Sequence, residues 1–455
     1  MSAGRFRLGQ ASPSRRQFLQ AVALTGTALA AAPAPAKPDP QPRTMMGVPF
    51  EPHATVRIGL IGAGARGQSL LRDLLAVPGV EVRAVCDIDR LRLEQAQRQC
   101  AAAGRAAPAA YGRDERAFEG LCARDDLDLV VVATPWEWHA PMALRGMREG
   151  KHVGVEVPAG VEMSELWELV RTSERTRRHC MMLENCCYGE NELMVLAMVQ
   201  AGLLGTLTHA EAAYIHDLRG VMNERDGSGY VSEARWRRAW HTKRNGNLYP
   251  THGLGPVCRY LGIHRGDRLE SLVSLSSLQA SLEEDQAARF PGRGERYLCG
   301  DMNSSLLRTA KGRTILLQHD VVTPRPYSRH NLVQGTRGAF ADYPARLYLD
   351  EVAKRTGSHR WIQGEDLKPY RERFVPDLWR RLGGQARQTG GHGGMDFVMG
   401  FRLVACMREG LAPDFDVYDA AAWSAPFPLS VASVRAKGMP QAIPDFTRGH
   451  WGGRS

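Results

Sequence analysis

Residues 56–67 read VRIGLIGAGARG, an apolar run leading straight into Gly62-x-Gly64-x-x-Gly67. Few folds accommodate that string. Gly62 permits a tight strand-to-helix turn, Gly64 lets the backbone approach a pyrophosphate, and Gly67 lets the following helix pack close to the strand. The free N–H groups at the start of that helix then face the phosphates. Asp87 closes the next apolar run, Val80–Cys86, twenty residues after Gly67. A carboxylate there bonds both ribose hydroxyls and repels a 2′-phosphate, which predicts NAD rather than NADP.

The apolar pattern then alternates strictly. Strands are predicted at Val56–Ile61, Val80–Cys86, Leu129–Thr134, His152–Val157 and Cys180–Glu184, and helices at Gly67–Ala76, Arg90–Ala103, Pro141–Glu149 and Met163–Thr176. Such alternation implies a doubly wound parallel sheet of the Rossmann type over residues 55–186. Ligand contacts gather at the carboxyl ends of its strands, where Thr134–His139, Glu156–Pro158 and Glu184–Asn185 stand. Beyond residue 186 the rhythm changes. A helix, Glu190–Ala201, precedes strand-like segments at Leu207–Ile215, Leu269–Leu278, Ser304–Arg308 and Thr314–Asp320. Residues 187–455 are therefore expected to form an α+β domain with an open, largely antiparallel sheet. The fold class is α/β.

Ser14-Arg15-Arg16-Gln17-Phe18-Leu19, a short apolar run and Ala-Pro repeats predict a twin-arginine signal over residues 1–36, followed by a linker, 37–54. The expected location is periplasmic or extracellular, with no membrane attachment after removal of the signal. This pathway carries folded proteins, so the nine cysteines, which lack disulfide-framework spacing and CxxC pairs, are expected as reduced core residues, with no metal site. The formal charge of +10 comes from scattered arginines without interleaved aromatics, so no nucleic-acid partner is expected.

The order VRIGLIGAGARG, VCD, VVVATPWEWH and GKHVGVEVP, followed by a second domain, resembles the Gfo/Idh/MocA oxidoreductases. The strings MMLENCCYG, EAAYIHDLRG, KRNGNLYPTHGLGPV and RPYSRHNLVQGTRG resemble glycoside hydrolase family 109, the NAD-dependent α-N-acetylgalactosaminidases. This resemblance implies cofactor contacts from Gly62, Gly64, Ala65, Arg66, Gly67, Asp87, Trp136, Glu137, Trp138, His139, Glu156, Val157, Asn185 and Tyr249. It implies sugar contacts from Tyr214, Arg237, Tyr249, Pro250, Thr251, His252 and Tyr327, with His252 and Tyr327 catalytic. It also suggests a homo-oligomer. Dehydrogenases of the superfamily usually carry Glu-Lys-Pro where Glu156-Val157-Pro158 stands, and an Asp where Leu248 stands. That departure agrees with the hydrolase branch.

No pair of carboxylates stands out for two-carboxylate glycoside hydrolysis. The resemblance implies another route, in which the sugar C3 is transiently oxidised, the C2 proton leaves, the aglycone is eliminated, water adds and C3 is reduced again. His252 suits the base because imidazole titrates near neutrality, although by spacing alone it reads as a structural loop histidine. Tyr214 and Tyr327 suit hydroxyl contacts or half-buried packing. Arg237 lies in ARWRRAW and suits a sugar contact or stacking on tryptophan. His139 reads as a helix cap, and TGGHGGMDF (389–397), with His392 and Asp396, as a cleft loop or hinge. A sugar or cyclitol dehydrogenase, or a sugar-binding protein without catalysis, are the competing readings.

Overall fold

The computed structural model describes residues 43–292 and 294–453; the expected signal and the first part of the linker lie outside the described residues. Six parallel strands form the first sheet: β1 (Val56–Ile61), β2 (Val80–Cys86), β3 (Ala109–Tyr111), β4 (Leu129–Val132), β5 (His152–Val155) and β6 (Cys180–Met182). Their order is β3-β2-β1-β4-β5-β6, so chain direction reverses its progress between β1 and β4. Crevices open at such a switch point. β4 and β5 are buried at all four positions, as central parallel strands covered on both faces must be. β3 and the short helix Phe118–Cys122 were not predicted, being too short to show a period.

The helix after β4 spans Trp136–Arg148 and starts five residues before the predicted Pro141. Proline favours a helix start, but burial of Trp136, His139 and Ala140 sets the first turn here. His139 is accordingly inside the helix rather than at its cap.

The second sheet has nine strands: β7 (Leu207–Ile215), β10 (Leu269–Ser276), β11 (Asn303–Thr309), β12 (Thr314–Asp320), β13 (Leu332–Gly335), β14 (Gly338–Ala341), β15 (Arg346–Leu349), β16 (Ile362–Gln363) and β17 (Gln441–Ala442). β8 (Arg225–Asp226) and β9 (Gly229–Tyr230) form a separate hairpin. The order is β16-β15-β14-β13-β7-β12-β11-β10-β17. Every pairing is antiparallel except β7 with β12.

Residues 43–455 cluster as one unit, and helix Met395–Glu409 packs on the glycine-turn helix Ala65–Leu75. The second part of the expected linker is no free tether. Met45 and Phe50 are buried, and Phe50 packs its ring 4.8 Å from His152 and 4.5 Å from His179. Two apolar residues among prolines gave no periodic signal. All nine cysteines are buried and unpaired.

Candidate active site

The glycine turn is built as a phosphate cradle. Gly62 has φ +88°, and a Cβ on it would lie 2.4 Å from the Ala133 carbonyl oxygen. A Cβ on Gly67 would lie 1.9 Å from the Gly62 carbonyl oxygen, so only glycine lets helix and strand meet there. Gly64 faces open space, and no side chain caps the helix that follows. Asp87 sits just past β2, accepting from the Ala63 N–H at 2.7 Å and the Asp89 N–H at 2.9 Å. A cleft of about 640 Å³ runs from Asp87 and Asp89 past Gly62, Gly64 and Trp136 to Tyr249 and His252. Its size suits a small-molecule ligand. The cradle, the uncapped helix and the carboxylate together fit a dinucleotide.

At the far end, close backbone approaches set the chemistry. His252 lies in helix Thr251–Tyr260 rather than in a loop. A Cβ on Gly253 would stand 2.4 Å from the Ala213 N on β7, so this helix presses directly on the strand. That contact brings the His252 ring within 5.4 Å of Tyr214. Glu184, just beyond β6, has no exposed surface; its Oε1 lies 2.7 Å from His252 Nδ1 and also accepts from the Cys186 N–H. Burial alone would raise the Glu184 carboxyl, but His252 beside it outweighs burial and holds it below the ordinary value. Ionised Glu184 accepts Nδ1–H and leaves Nε2 as the free base.

Aromatic rings build one wall. The Arg237 guanidinium lies 5.0 Å from the Trp136 ring, 5.1 Å from Trp236 and 5.3 Å from Tyr249, while its Nε donates to Glu233. Tyr249 stacks on Trp136 at 5.6 Å. The Tyr214 hydroxyl, pushed up to about 12 by burial, lies 3.0 Å from His216 Nδ1. Tyr327 does not line the cleft itself. It stands beside it, 5.0 Å from the His216 ring, with Arg329 donating to its hydroxyl at 3.0 Å.

Arg66 does more than its place in the turn suggested. Its guanidinium bonds Glu156 at 2.7 Å and Asp396 at 2.5 Å, and Asn185 and His392 also bond Asp396. The stretch 389–397 brings His392 to the cleft and Asp396 to Arg66. Ala65, Trp138, His139, Glu156, Val157 and Asn185 line the cleft as expected. Glu137 points outward, exposed in the first helical turn. Pro250 and Thr251 are buried at the start of the His252 helix and are absent from the cleft lining.

Sequence reading placed Glu184 at a strand end but missed its pairing with His252, and it missed His216 and Arg329. Only three-dimensional proximity marks them, since they come from different elements. Glu184, Cys186 and His252 also present potential metal-ligand atoms within 4.8 Å of one another; burial pushes the Cys186 thiol well up, and Glu184 Oε1 is taken by His252 and the Cys186 N–H.

A parallel sheet with a glycine cradle, opening on a histidine–carboxylate pair, defines an NAD-binding enzyme of the oxidoreductase type. Residues 56–184 match the description "Oxidoreductase family, NAD-binding Rossmann fold", and residues 188–453 match "Glycosyl hydrolase 109, C-terminal domain". A glycosyl hydrolase family 109 protein of Solibacter usitatus is 50% identical, covering 96% of this chain and 98% of its own length. One from Streptomyces filamentosus is 53% identical, over 90% of this chain and 81% of its own. The chain belongs to glycosyl hydrolase family 109. Among solved structures, an NAD-binding oxidoreductase from Klebsiella pneumoniae has the same fold at TM-score 0.64 and 18% identity, covering 86% of this chain and 100% of its own. A levoglucosan dehydrogenase in complex with NADH aligns at TM-score 0.64 and 16% identity, covering 86% of this chain and 99% of its own. The protein is an NAD-dependent glycosidase by family and fold, with NAD as its cofactor.

Proposed function

We propose that the protein hydrolyses α-linked N-acetylgalactosaminides without net oxidation. The observation that carries this reading is the continuity of one cleft from the dinucleotide cradle to His252 and its buried Glu184. When bound, NAD supplies a reversible hydride acceptor for the sugar's C3–H. His216, on the cleft wall, takes the C3 hydroxyl proton and returns it on re-reduction. His252 takes the proton from C2 through Nε2 and gives one back once water has added at C1, while Glu184 fixes Nδ1–H and stabilises the imidazolium. The Tyr214 hydroxyl, on the cleft wall, donates to the departing glycosidic oxygen, while Tyr327, held by Arg329 beside the cleft, packs against His216. Arg237, caged by rings, presents its remaining N–H groups to a sugar hydroxyl or the acetamide carbonyl. Trp136 and Trp236 close that wall against water.

Glu156 and Glu233, two of the cleft carboxylates, are held by Arg66 and Arg237, which argues against their acting as a two-carboxylate pair. A nitrophenyl α-N-acetylgalactosaminide should release nitrophenol without accumulation of NADH, and product formed in heavy water should carry deuterium at C2. Steady NADH formation from free sugar, or full retention of the C2 proton during hydrolysis, overturns the reading. Export is proposed on the Ser14–Leu19 motif; replacing Arg15 and Arg16 by lysine should leave the protein in the cytoplasmic fraction.

A further inference from the structure

Gly390-Gly391-His392-Gly393-Gly394 carries a single side chain, and that side chain reaches the main cleft. The chain can bend this way only because glycine flanks the ring. A Cβ on Gly391 would lie 2.4 Å from Asp73 Oδ2 and 2.7 Å from Asp396 Oδ2. One on Gly394, at φ +103°, would lie 2.8 Å from the Ala386 Cβ. His392 itself is held at φ 46°, ψ 46°, a left-handed conformation uncommon outside glycine. Surrounding structure keeps such an outlier where the side chain is needed in one place. Here that place is a wall shared with Gly64, Ala65 and Arg66 of the glycine turn.

The charges around the ring narrow what it faces. Arg66 is committed to Glu156 and Asp396, one guanidinium against two carboxylates. Burial alone would raise the Asp396 carboxyl, but the hydrogen bond to His392 and the charge of Arg66 hold it far below the usual range. With a neutral His392 the group would therefore carry one net negative charge beside the turn, and an imidazolium cancels it. His392 Nδ1 lies 2.8 Å from Asp396 Oδ2, so Nδ1–H donates there. Nε2 makes no hydrogen bond among the described residues, and 52% of the side chain is exposed. The helix opposite, Ala65–Leu75, has no acidic residue in its first turn and no side-chain cap, so its free N–H groups also favour an anion.

We propose that His392 binds the pyrophosphate of NAD, its imidazolium donating through Nε2 to a phosphate oxygen, and so keeps the cofactor on the protein between turnovers. The ring enters from the second domain whereas the cradle belongs to the first, so the nucleotide leaves only when this contact opens. The clasp requires NAD as cofactor and does not rest on the glycosidase reading, and its test follows the nucleotide alone.

Holoenzyme carrying radiolabelled NAD, diluted into excess unlabelled NAD, reports the release rate. His392→Ala should release label at least fivefold faster than wild type, with an unchanged circular dichroism spectrum. His392→Lys, which restores a charge without the ring, should fall between the two. In phosphorus NMR of the bound cofactor, His392→Gln should move the pyrophosphate resonances while the adenine protons keep their shifts. A smaller change in release for His392→Ala, or pyrophosphate resonances unmoved in His392→Gln, overturns the proposal.

Discussion

His252 Nδ1 and Glu184 Oε1 lie 2.7 Å apart, with the carboxylate wholly buried behind the ring. The carboxylate fixes one tautomer and opposes the charge that a proton on Nε2 creates. Glu184→Gln should cut kcat on the order of 100-fold with little change in KM. Removing the counter-charge disfavours the imidazolium, so the acid limb of the rate profile should move to lower pH. Glu184→Asp should recover part of the rate, which a merely structural role would not require. The pH dependence of kcat for the three proteins checks this.

Asp396 holds Arg66 of the glycine turn while also accepting from Asn185 and His392. Its carboxyl is held far below the usual range despite burial, by His392 and Arg66. Asp396→Asn should loosen the turn and raise the NAD dissociation rate about tenfold. Nucleotide remaining on the protein after gel filtration reports it.

The three glycines of the turn should separate folding from binding. Gly67→Ala places a methyl 1.9 Å from a carbonyl oxygen and should cost about 3 kcal/mol or more of stability. Gly64→Ala meets nothing within 4 Å, so the melting temperature should hold while the methyl enters the cleft and NAD affinity falls. Thermal melts with and without added NAD distinguish the two.

Burial depresses His152 to about 3 and His179 to about 4. The unfolded chain takes up protons on both below about pH 6.5, while the folded chain does not. Stability should therefore fall as pH drops from 6.5 toward 4, by roughly 1 kcal/mol per pH unit for each ring. Denaturant midpoints between pH 7.5 and 4.5 check the slope.

The first sheet was readable because parallel central strands are continuous apolar runs, and β1 and β2 match the predicted spans to the residue. The glycine turn and Asp87 carry a local spacing, so the cradle was readable as well. The second sheet was only half visible. β13, β14 and β15 are four residues each, too short for alternation to stand out. His252 looked like a loop residue because YPTHGLGP is poor in helix formers, yet packing on β7 makes it helical. Glu184 was quoted as a strand end, but its pairing with His252 spans 68 residues and leaves no mark in local sequence.

The packing of residues 43–54 constrains how the chain is trimmed. The Met45 N–H donates to the Tyr418 hydroxyl at 3.0 Å, and Phe50 sits against the two depressed histidines under the first sheet. A peptidase that removed more than the first forty-odd residues would unplug that underside and expose two histidines ready to charge. Any trimming of the N-terminus would thus meet a downstream limit set by side-chain packing.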